Sequence, residues 1–101
     1  MEMTWTQKAL ALQALVGWYN FSLKLRENES WYVEHTGLGR KEGCCLSGGC
    51  QNGKTPNEAV EQCWRWATDP DYYLVLNATS KNRRAVRWNG FVWEDVVEEK
   101  C

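Results

Sequence analysis

The chain has 101 residues, with 12 Lys and Arg against 13 Asp and Glu, a formal charge of −1, 44% hydrophobic and 25% charged residues. That is enough chain for one modest core, and the near-neutral charge excludes a polycation that coats long nucleic acid by bulk electrostatics. Seven Trp are far above ordinary usage and predict either dense core packing or stacking surfaces.

Met1 to Gln7 carries no basic region, and no stretch approaches the roughly 18 apolar residues of a membrane span, so a cytosolic protein without membrane contact is expected. The five cysteines are odd in number, so they cannot all pair within one chain, which fits a reducing compartment.

Thr4 and Gln7 have the spacing of a capping box and open a helix to Val16, whose inward stripe is Trp5, Ala9, Leu12 and Val16. Gly17 stops it, and the period changes to two: Tyr19, Phe21, Leu23 and Leu25 alternate with Trp18, Asn20, Ser22 and Lys24 as a half-buried strand. A polar turn leads to a second strand, Trp31 to Thr36. Gly37 to Lys54 holds six of the eight glycines and three cysteines, and a short strand is expected near Gly43 to Ser47.

The next helix is the best marked. Thr55 is its N-cap, Pro56 its first residue, Glu58 completes a capping box, and Ala59, Val60, Cys63 and Ala67 face inward, with Trp64 or Trp66 at the margin of the stripe. Asp69-Pro70-Asp71 ends it. Tyr72 to Asn77 is an apolar strand and Ala78 to Asn82 a polar loop. Arg83 to Val96 reads as a hairpin closed by Asn89-Gly90, with Trp88 facing Phe91 across a two-residue loop. The expected fold is a single α+β domain: an antiparallel sheet of five to six strands, with both helices on one face.

Gly48 to Thr55 matches the phosphate-loop pattern G-x-x-x-x-G-K-[ST], but no later apolar strand ends in a metal-holding aspartate. Thr55 reads better as an ordinary cap, leaving Lys54 and the helix start as a plain phosphate contact. Cys44, Cys45, Cys50, Cys63 and His35 fit no common zinc spacing, and no metal or cofactor is expected. The carboxylate pairs Glu94/Asp95 and Glu98/Glu99 define no acid–base pocket, so no enzyme is expected. Arg83, Arg84 and Arg87, with Lys81 beside them, interleave with Trp88, Phe91 and Trp93 on one ribbon, which combines planar phosphate donors with stacking rings.

The run Thr55-Pro56-x-Glu58-Ala59-Val60-Glu61-x-x-Trp64, then Tyr73 to Asn77, then Asn82-Arg83-Arg84-Ala85-Val86-Arg87-Trp88-Asn89-Gly90-Phe91-Val92-Trp93-Glu94, resembles small bacteriophage immune-evasion proteins, and loosely the anti-Thoeris sponges. The resemblance covers about half the chain and leaves out the cysteine-rich stretch. It implies an oligomeric protein that sequesters a cyclic-nucleotide signal in the host cytosol without cleaving it. In that reading Arg83, Arg84 and Arg87 meet phosphates, Trp88 and Phe91 wall the base, Asn77 reads a polar edge, and Lys54 with Thr55 adds a second phosphate contact. A second copy is expected to enclose the ligand. The rival expectation is a protein-binding inhibitor of a host defence enzyme, similar to the anti-CRISPR proteins, with exposed aromatics and the acidic tail as anchors.

Overall fold

The structure is a computed structural model that describes residues 2–17, 20–48, 51–77 and 83–98. The expectations for Trp18, Tyr19, Cys50, the loop 78–82 with Lys81, and Glu99 lie outside the described residues. Two helices and eight strands form an α+β fold with two antiparallel sheets, three- and five-stranded, where a single sheet was expected. The elements are α1 (Trp5–Val16), β1 (Phe21–Leu25), β2 (Trp31–His35), β3 (Leu38–Glu42), β4 (Cys45–Ser47), β5 (Gln51–Gly53), α2 (Pro56–Ala67), β6 (Tyr73–Leu76), β7 (Arg84–Trp88) and β8 (Trp93–Asp95).

The chain divides into two compact units, Met1–Thr36 with Cys50–Trp66, and Gly37–Gly49 with Ala67–Cys101. In the first unit the sheet order is β1-β2-β5. The capping box of α1 is present, with Thr4 and Gln7 exchanging side-chain-to-backbone bonds, but Leu12 is the one buried residue of that helix. Trp5, expected to face inward, is 39% exposed. The helix is apolar on several sides, so its pattern does not single out a buried stripe. Helix α2 shows the reverse: Ala59, Val60, Cys63, Trp64 and Trp66 are all buried, and Trp66 stacks on His35 of β2 at 5.3 Å. Lys8 of α1 ties to Glu61 of α2 at 2.7 Å.

In the second unit the order is β4-β3-β6-β7-β8. Strand β6 sits at its centre, and Leu74, Val75 and Leu76, which alternate between the two faces, are all buried. Gly43 opens the β3–β4 hairpin at φ 63, with Glu42 pairing Cys45 across a two-residue loop. Gly39 permits a close approach, since an added Cβ would lie 3.2 Å from the Leu46 side chain. The glycine-rich stretch therefore divides between the sheets, β3 pairing with β6 and β5 with β2. That is why a single sheet does not form.

The β7–β8 hairpin is corrected in register. Trp88 faces Trp93, so Asn89 to Val92 form a four-residue loop, and the expected Trp88–Phe91 pair is absent. The cause is the Asn89 side chain, whose Oδ1 accepts from Phe91 N at 2.8 Å and Val92 N at 2.9 Å. Asparagine satisfies these turn donors itself, so the tight mirror-image turn does not form. Because the register shifts by two residues, each strand residue keeps its face.

No helix among the described residues is long and apolar enough to cross a membrane.

Candidate functional site

Register and alternation sort the five-stranded sheet into two faces. Arg84, Val86, Trp88, Trp93 and Asp95 share one face, where Arg84 Nε meets Asp95 Oδ1 at 2.5 Å and the Trp88 and Trp93 rings pack edge-on at 5.0 Å. Lys41, Tyr73, Arg87 and Glu94 lie on the other. Lys41 pairs with Tyr73, and continuing the β6–β7 register by one residue sets Arg87 beside Tyr73. Two strand spacings put the Lys41 and Arg87 Cα atoms about 10 Å apart, so their long side chains can reach one anion between them.

A cleft of about 220 Å³ opens over this row, lined by Lys41, Gly43, Asp71, Tyr72, Tyr73 and Arg87. Arg87 is exposed, its Nε donates to the Tyr72 carbonyl at 3.4 Å, and its guanidinium lies 5.9 Å from the Tyr73 ring centre. Among the described residues no carboxylate pairs with Arg87. Its cross-strand neighbour Glu94 is engaged instead by Asn89, whose Nδ2 donates to Glu94 Oε1 at 2.6 Å. Chemically the cleft offers the exposed Arg87 guanidinium and Lys41, whose ammonium also meets Glu98 at 3.4 Å, with Asp71 and two phenol rings beside them. That arrangement suits a phosphate or carboxylate attached to a flat group.

The expected site residues do not gather in one place. Arg87 alone of the eight lines this cleft. Arg83 shares its face but is tied to Glu98. Arg84 and Trp88 occupy the opposite face, and Phe91 stands at the hairpin tip, 87% exposed. Asn77 follows β6 in the left-handed region at φ 52, with its N–H bonded to the Gly37 carbonyl at 2.9 Å.

Lys54 and Thr55 belong to the first unit, and the helix start there is already filled by the protein. Glu58 Oε2 accepts from Lys54 N at 2.7 Å, while Thr55 Oγ1 bonds Asn57 Oδ1 and accepts from Glu58 N at 3.3 Å. A carboxylate therefore takes the donor that a phosphate loop would present. Gly53 has a packing reason of its own, since a Cβ there would lie 2.5 Å from Ala59 N. Gly49 and Cys50 of that loop lie outside the described residues.

Among the described residues no group of three His, Cys, Asp or Glu side chains is arranged for a metal ion. Cys44 and Cys45 are exposed, whereas Cys63 is buried as expected for a small core residue, and burial pushes its thiol up to about 12. Lys41, Tyr72 and Tyr73 were missed as site residues. Lys41 fell in a stretch read as loop, and only its pairing with Tyr73 brings it to the site.

No protein-family model, curated protein or solved structure matches the chain.

Proposed function

We propose that this protein binds a small anionic ligand of the nucleotide type at the Lys41–Tyr73–Arg87 row and holds it without cleaving it. One observation carries the reading: Arg87 is an exposed guanidinium, positioned by the Tyr72 carbonyl and the Tyr73 ring, with no carboxylate partner among the described residues. Arginine presents planar paired donors to phosphate, and the adjacent phenol rings offer a base or sugar an apolar surface. The sponge role implied by the sequence resemblance supplies the biological setting: a signal is kept from its receptor in the host cytosol, with two copies enclosing it.

Isothermal titration against a panel of cyclic mono- and dinucleotides and cyclic ADP-ribose tests the proposal. Saturable heat that weakens with added salt, with the ligand recovered intact from the denatured complex, is the expected result. Native mass spectrometry of the same samples reads the oligomer. No heat with any member of the panel rejects the proposal.

A second reading rests on a different feature. Phe91 and Val92 are 87% and 57% exposed on a turn that the Asn89 side chain holds in place, which is the form of an aromatic anchor for a protein partner. This corresponds to the inhibitor of a host defence enzyme. Phe91→Ala then abolishes binding to that enzyme while leaving nucleotide binding unchanged; the opposite pattern rejects it.

A further inference from the structure

Resting on the reading of the Arg87 cleft as an anion site, we infer that Glu98 is a built-in competitor for that site, a carboxylate strap that an anionic ligand displaces. The segment after β8 continues the hairpin pairing, with Val96 N–H bonded to the Ala85 carbonyl at 2.9 Å. Beyond this bond the chain leaves strand geometry and carries Glu98 onto the face that holds Lys41 and Arg83. There its Oε1 accepts from Arg83 and also meets Lys41 Nζ at 3.4 Å. Among the described residues, one carboxylate thus meets two of the three cations on this face.

Two further observations point the same way. The Lys41 side chain is only 11% exposed, so its charge is drawn inward to Glu98. The cleft as it stands, about 220 Å³, falls below the roughly 300 Å³ at which small-molecule pockets begin. It therefore admits a phosphate group but not a whole nucleotide. Release of Glu98 supplies what is lacking: it removes the carboxylate from Lys41, the second cation of the cleft, and leaves that ammonium to the ligand beside Arg87. The neighbouring Val97 is 91% exposed, so lifting this segment strips little apolar surface. The strap raises the apparent dissociation constant by the fraction of time it is closed, and it rejects weak single anions that do not reward opening.

Glu98→Gln tests this in the full chain, with inorganic pyrophosphate and 3′,5′-cyclic AMP as probes in low salt. The variant is expected to bind both at least tenfold more tightly than wild type, because the neutral amide no longer competes. Equal or weaker binding by the variant overturns the strap but leaves the anion site standing. No binding by either protein, both being folded by near-ultraviolet circular dichroism, overturns the site and the strap with it. Hydrogen exchange on wild type gives a readout that needs no variant. Saturating pyrophosphate should speed exchange at the Val96, Val97 and Glu98 amides, and slower or unchanged exchange there overturns the strap.

Discussion

Substituting Gly53 by Ala separates a packing glycine from a phosphate-loop glycine. The added Cβ would lie 2.5 Å from Ala59 N, 2.6 Å from Glu58 Cβ and 2.8 Å from Glu58 C. Carbon contacts are comfortable at about 3.5 Å or more, so β5 must move about 1 Å off the start of α2. Overpacking of this kind costs about 1–3 kcal/mol. The same displacement pulls on the 2.7 Å bond from Lys54 N to Glu58, part of a helix cap worth about 1 kcal/mol. Alanine returns about 0.4–1 kcal/mol by restricting the unfolded chain. The net expectation is a loss of about 2 kcal/mol, or roughly 8–16 °C in melting temperature for a domain of this size. Thermal and urea melts followed by tryptophan fluorescence read it directly. A variant as stable as wild type, but with weakened nucleotide binding, would refute the packing assignment and restore the phosphate loop.

Cys63, with its thiol pushed up to about 12 by burial, should resist iodoacetamide at pH 8 until denaturant is added. Cys44 and Cys45 should react at once, and peptide mapping of the labelled chain distinguishes the sites. Asn89→Ala removes the acceptor for two turn amides and should cost about 1 kcal/mol, with faster hydrogen exchange at Phe91 and Val92. The hydrogen bond from Arg40, then that from Ser47, holds the Glu42 carboxyl below the usual glutamate range. Its stabilising contribution is present above the unfolded-state value and disappears as pH falls through the folded one, so Glu42→Gln should flatten the acid side of the stability profile.

Legibility in the sequence varied with how local the determinants were. Helix α2 was readable because its cap and its buried positions lie within twelve residues and agree with each other. For α1 the cap was readable and the buried stripe was not, since Trp5 and Leu10 are apolar yet exposed. The hairpin turn was readable at Asn89-Gly90, but its length was not, because the sequence pair does not say whether the asparagine side chain will take the turn donors. Strands β3 and β5 were hidden by glycines whose role is close packing, at Gly39 under Leu46 and at Gly53 under α2. The candidate site was visible in part: Arg83, Arg84 and Arg87 stood out together as cations that a core does not require, and only Arg87 lines the cleft. Lys41 and Tyr73 come from distant parts of the chain, and only strand register brings them together, while Glu98 reaches Lys41 from beyond β8.

Arg84 and Arg87 provide the most direct measurement, since they are exposed guanidiniums on one strand that face opposite ways. Removing either changes the net charge by the same amount, so a diffuse electrostatic attraction would respond equally to both. The nucleotide shown by titration to bind wild type most tightly is titrated into Arg87→Ala and Arg84→Ala in the same buffer. Arg87→Ala should lose about 1.5–3 kcal/mol, a factor of ten or more, while Arg84→Ala stays within about twofold. Equal losses in the two variants, or undiminished binding by Arg87→Ala, would contradict the assignment of the site to the Lys41–Tyr73–Arg87 row.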